Sequence, residues 1–84
     1  MMKIFAVKDL AINAYGNPIF CKAQGQAIRS FMDECNNRES MMAKHPADYE
    51  MYYIGEYDEE TAAILPADNI ERVARATDYV NKEN

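Results

Sequence analysis

Four of the six tyrosines fall in one stretch of fourteen residues, His45-Pro46-Ala47-Asp48-Tyr49-Glu50-Met51-Tyr52-Tyr53-Ile54-Gly55-Glu56-Tyr57-Asp58. Aromatic side chains on a sheet can stack unpaired bases when cations lie close enough to hold the phosphates. Tyrosine is also a favoured strand residue, so partial burial and cross-strand packing account for the same residues. The hairpin itself carries no cation. Stacking on Tyr52 and Tyr53 therefore requires Lys3, Lys8, Lys22 and Arg29, or the Arg72 and Arg75 pair, to come alongside. Arg29, on the exposed side of a predicted helix, is the first choice for a phosphate contact.

Other chemistry has less to stand on. His45 is the only imidazole, and its place before Pro46 reads as a surface or packing residue. His45 with Asp48 offers two ligands without a third, too few for a metal centre. Asp58-Glu59-Glu60 lacks the alternating oxygen ligands and spaced glycine of a calcium loop, so it reads as a solvated turn. Gly16 and Gly25 form no phosphate loop, and no dinucleotide or Walker motif is present. Cys21 and Cys35 read as small buried hydrophobes. The expectation is a nonenzymatic protein with no cofactor and no metal.

The elements that must position these residues follow from pattern. Met2 to Lys8 is rich in Ile, Phe and Val and reads as a strand, with a loop over Asp9 to Asn17 containing Tyr15-Gly16-Asn17-Pro18. Pro18 to Cys21 is a short extended piece, either an edge strand or a packed loop. Ala23 to Asn36 is the clearest helix, with Ala27, Ile28, Phe31, Met32 and Cys35 in one stripe expected to lie on a sheet. Ser40 could cap a short turn through Lys44, with Met41-Met42 as an anchor, and His45-Pro46 must end it.

In Glu50 to Tyr57 strict alternation puts Met51, Tyr53, Gly55 and Tyr57 on one face and Tyr52, Ile54 and Glu56 on the other. Gly55 leaves room for a bulge or a close approach. Thr61 to Leu65 returns as a short partner strand. Beyond it, Asp68 or Asn69 could cap a helix carrying Ile70, Val73, Ala74 and Thr77; the β-branched content leaves a short extended stretch as the alternative. Asn81 to Asn84 reads as a frayed tail. The fold class expected is α+β: a small, mostly antiparallel sheet of three to four strands with one main helix on a face.

Composition sets the outer limits. Eighty-four residues make a single domain, with an ordered core over about 2–80. A chain this size buries only about 60–65% of its unfolded surface, so a homodimer covering part of the sheet would help its core. The apolar fraction of 49% argues for a folded globule, and the net charge of −5 weighs against strong nonspecific coating of nucleic acid. Residues 1–32 hold four basic residues against one acid, a net of +3, so the chain begins basic and continues acidic. No apolar run is long enough to span a membrane. With no signal-peptide pattern ahead of the first strand, the expected location is cytoplasmic, with reduced thiols.

Five short motifs, in order, resemble one family. They are Phe5-Ala6-Val7-Lys8-Asp9, Pro18-Ile19-Phe20, Ala27-Ile28-Arg29-Ser30-Phe31, His45-Pro46-Ala47-Asp48-Tyr49 and Ile54-Gly55-Glu56-Tyr57-Asp58. Together, over about residues 3–66, they resemble the small nonstructural protein of gokushovirus-type microviruses, also called the phage open-reading-frame-five protein. Ala74 to Val80 is a looser match. The resemblance implies a protein of the host cytoplasm that is absent from the virion. It would act in viral DNA replication and packaging by binding single-stranded DNA or the replication complex. The alternative is an adaptor that engages a phage or host protein through the acidic hairpin, with no nucleic-acid contact.

Overall fold

The computed structural model describes residues 1–80. Its centre is strand β1 (Met2–Asp9), which pairs antiparallel with β4 (Tyr49–Tyr57) on one side. On its other side β1 pairs with β2 (Ala14–Tyr15) and β3 (Ile19–Cys21), which lie in line along the same edge. Strand β5 (Ile64–Arg75) closes the far edge against β4. The sheet thus has five strands but is four wide, and helix α1 (Gln24–Cys35) covers one face. The α+β architecture is the one the sequence pattern predicts.

Local chemistry sets the helices. The Gln26 Oε1 accepts the backbone N–H groups of Lys22 at 3.0 Å and Ala23 at 3.4 Å, satisfying donors ahead of the first turn of α1. At the other end the Asn36 side chain donates to the carbonyls of Met32 and Tyr79, tying the helix to the end of the described chain. Ser40 Oγ accepts the Met42 N–H and caps the short α2 (Met41–Lys44), which stops at His45 before Pro46 as expected. Met42 packs on the core while Met41 stays exposed.

The core lies between α1 and the sheet. Ala27, Phe31 and Cys35, spaced by four, are fully covered and meet Phe5, Met51 and Ala74. Burial, with Glu34 adding to it, pushes the Cys35 thiol up to about 11, so it stays protonated as a packing group. Cys21 is half-buried and also free. Met32, expected on the sheet, is instead exposed, because it lies a hundred degrees round the helix from Phe31.

Three expectations need correction. The predicted loop Asp9 to Asn17 is partly ladder, since β1 runs to Asp9 and Ala14–Tyr15 returns beside it, with the turn closed by Asn13 at a φ of 55°. The return strand begins at Ile64, later than predicted, and runs through to Arg75. Residues 69 to 75 are therefore extended, the alternative that the β-branched content left open, and only Ala76–Asp78 makes a single 3-10 turn. The apparent helical spacing of Ile70, Val73 and Ala74 is overridden by the outer edge of β4, whose N–H and C=O groups take a hydrogen-bonding partner. The predicted frayed tail, Asn81 to Asn84, lies outside the described residues.

The pairing is interrupted at two levels: Met51 pairs with Ala74 but Tyr52 with Arg72, so Val73 is an extra residue in β5, and a second break lies at Ile54. Ile4 pairs with Gly55 but Phe5 with Tyr53, so Ile54 is an extra residue in β4. On the other side of β4, Tyr53 pairs with Glu71 and Gly55 with Pro66, which leaves residues 67–70 of β5 facing Ile54. A side chain on Gly55 would run into the Leu65 carbonyl, so the crossing admits only glycine without a shift of backbone.

Candidate nucleic-acid interface

The bulge at Ile54 re-aims the hairpin. Side chains of antiparallel partners share a face, so Tyr52 stands with its partners Ala6 and Arg72, away from α1. Past the bulge Gly55 stands with Ile4 and Tyr57 with Met2, on that same face. Strict alternation had put Gly55 and Tyr57 with Tyr53; the extra residue switches them to the side of Tyr52.

The face left open by the helix consequently carries an aromatic layer. Tyr15 and Tyr52 meet edge-to-face at 5.6 Å, and Phe20 and Tyr57 do the same at 5.6 Å. Ile4 and Ala6, buried but outside the main core cluster, are covered on this side. The layer remains reachable: Tyr15 is 44% exposed and Phe20 42%.

Cations border the layer. The Lys8 Nζ stands 5.3 Å from the centre of the Tyr15 ring. Arg75 pairs with Glu50 and Arg72 with Tyr52; three residues apart in a strand, they share this face because Val73 is an extra residue between them. Arg72 Nη1 is 3.5 Å from Glu50 Oε2, and Arg75 Nε is 3.5 Å from Asp78 Oδ2. Both arginine side chains are about half exposed, so these pairs hold them loosely. The Tyr52 hydroxyl donates to Glu50 Oε1 at 2.7 Å, and that bond, with burial second, raises the Tyr52 pKa.

The six residues expected from sequence are divided between regions. Lys8 and Tyr52 share the open face. Tyr53 lies on the helix-covered face with its ring edge against Phe5 at 5.7 Å, and the Lys3 Nζ stands 5.7 Å from the Tyr53 ring. Burial raises the Tyr53 pKa, and the charges of Glu56 and Glu71 add to it. Lys22 is at the hairpin end, 3.7 Å from Glu59, whose other oxygen accepts the Met1 amine at 3.1 Å. Arg29 is on the exposed side of α1, across the molecule from the aromatic layer.

Tyr15, Phe20 and Glu50 were not among the expected residues, and Tyr57, one of the four tyrosines of the hairpin segment, was expected on the other face. Tyr15 was hidden in a turn motif and Tyr57 by the bulge. The Arg72 and Arg75 pair, named as the second source of cations, lies on this face. Among the described residues no three His, Cys, Asp or Glu side chains come together to hold a metal ion, and no described helix is long and apolar enough to cross a membrane.

Comparison with curated proteins and with solved structures finds no match to this chain. A family model described as phage ORF5 protein matches residues 2–79, a span that takes in the whole sheet, both helices and the C-terminal segment. The chain belongs to the phage ORF5 protein family.

Proposed function

We propose that this phage protein is a nonenzymatic accessory factor that binds single-stranded DNA on the open face of its sheet during viral DNA replication and packaging. One observation carries the reading: Tyr15, Phe20, Tyr52 and Tyr57 share a helix-free face with Lys8, Arg72 and Arg75. Each base stacked on such a ring is worth roughly 1–3 kcal/mol, and stacking needs bases that are already unpaired. Lys8 and Tyr52 are retained from the sequence-based set, whereas Lys3, Arg29 and Tyr53 stand on the helix side of the sheet and Lys22 is engaged with Glu59 at the hairpin end. With three cations on the face, log K should fall against log salt with a slope of about −2. Titration of a labelled single-stranded oligonucleotide at low and moderate salt tests this. Binding with that shallow slope is expected, and no binding at low ionic strength would remove the reading.

A second reading has its own support. Ile64, Leu65 and Ile70 are 64%, 43% and 53% exposed along the hairpin arm beside an acidic tip. Apolar side chains exposed together on one arm suit a protein partner, and an adaptor would use them without touching nucleic acid. Capture of a stoichiometric protein from infected cells, insensitive to nuclease, would favour the adaptor.

A further inference from the structure

The open face contains one group that a surface built only for phosphates would omit. Glu50 stands among its cations and tyrosines, with a side chain only 16% exposed. Its position is held on two sides, by the Tyr52 hydroxyl on Oε1 and by Arg72 beside Oε2. A carboxylate offers about four acceptor sites, and these two neighbours leave the others available. It repels phosphate, yet it lies next to the Tyr15–Tyr52 pair on which a base would stack.

We propose that Glu50 is a specificity-determining residue: it accepts a hydrogen bond from the exocyclic amino group of a base stacked at Tyr52, so the face prefers amino-bearing bases over bases without one. The inference rests on the reading of this face as a single-strand-binding surface. Its chemistry is the ordinary pairing of a carboxylate with a base amino group such as N4 of cytosine. Adenine presents the same group at N6. Thymine and uracil offer a carbonyl there, which would face the carboxylate without a proton between them.

The test compares oligonucleotides that differ only in that group. Oligo(dC) is set against oligo(dU), which removes the amine without adding the thymine methyl, and oligo(dA) against an oligomer of amino-free purine deoxynucleoside. The two arms separate cytosine from adenine as the preferred source. Wild-type protein should bind at least one amino-bearing oligomer roughly five-fold more tightly than its counterpart, the discrimination of one hydrogen bond to a charged acceptor. Glu50→Met, which removes the acceptor at similar side-chain length, should bring that ratio close to one. Arg72→Gln should weaken binding to all four oligomers and leave the ratio unchanged, which a merely structural role for the Glu50–Arg72 pair would not produce. Measurable binding with equal affinities, or a preference that survives in Glu50→Met, overturns this inference alone. Absence of binding to all four at low salt removes the reading of the face and the inference with it.

Discussion

The two faces of this sheet are built from the same strands but treat aromatic residues in opposite ways. On the face covered by α1, Phe5 and Phe31 are at most 3% exposed, and Tyr53 is drawn in against Phe5. On the open face the rings lie against one another and over two small covered positions, Ile4 and Ala6, with no further layer above them. One face is a core and the other a surface that happens to be aromatic. Among the described residues α1 is the one long helix, and it covers a single side of the sheet. The face that stays uncovered is where recognition can be written without weakening the core.

If that contrast is right, truncation on the two faces should differ most in stability. Phe31→Ala removes a ring from the centre of the helix-covered core, where large-to-small changes cost about 3–5 kcal/mol. For a domain this small the expected result is a protein largely unfolded at 37 °C, measured by urea or thermal unfolding. A loss below about 1 kcal/mol would mean the helix is not the principal lid. Gly55→Ala comes next. Its Cβ would meet the Leu65 carbonyl, so the hairpin must shift, at a cost of roughly 1–3 kcal/mol in the same assay. The change also tests the bulge: if Gly55→Ala is neutral, the register that places Tyr57 beside Phe20 is wrong.

How much of this was legible in advance follows the range of the interactions. Ala27, Phe31 and Cys35 repeat at helical spacing, and Ser40 announces its cap within two residues, so α1 and α2 could be read locally. The hairpin was equally plain from Tyr49 to the acidic tip. The candidate site was not, because its membership depends on register. One extra residue at Ile54 moves Tyr57 to the other face, and nothing local to Ile54 announces it beyond the neighbouring glycine. Arg72 and Arg75 share the face because β4 pulls residues 69 to 75 out of a helix-compatible pattern and Val73 is an extra residue between them, both set by tertiary pairing. Tyr15 sat in a sequence with every mark of a turn, and its two-residue ladder with Lys8 and Asp9 is too short to produce a period.

Truncation on the open face should separate stability from binding. Tyr15 and Phe20 are already more than two-fifths exposed, so Phe20→Ala or Tyr15→Ala should cost only about 1 kcal/mol of stability. The same changes should weaken single-stranded DNA by roughly 1–3 kcal/mol per lost stacking contact, five-fold or more in Kd. A variant that unfolds like Phe31→Ala would show that the open face is a second core, and one that folds and binds like wild type would leave the aromatic layer without a role in binding.

The smallest effect belongs to the hairpin end, which is outside both faces. The Glu60 backbone N–H donates to Asp58 and lowers its pKa, with Thr61 adding to it; the Met1 amine does the same for Glu59, with Lys22 adding a smaller part. A carboxylate whose folded pKa is depressed contributes stability that is present above its unfolded value, near 4, and lost as pH falls through the lowered folded value. Both groups are at the surface, so screening keeps the contribution small. Comparing the acid limb of unfolding for wild type with Asp58→Asn and Glu59→Gln should show a slightly flatter dependence below pH 4 in each variant. Binding to single-stranded DNA at neutral pH should be unchanged in Asp58→Asn, because the charge it removes lies beyond the aromatic layer. A marked gain in affinity would instead extend the nucleic-acid path along the hairpin to its tip, and the open face would have to be redrawn as the middle of a longer track.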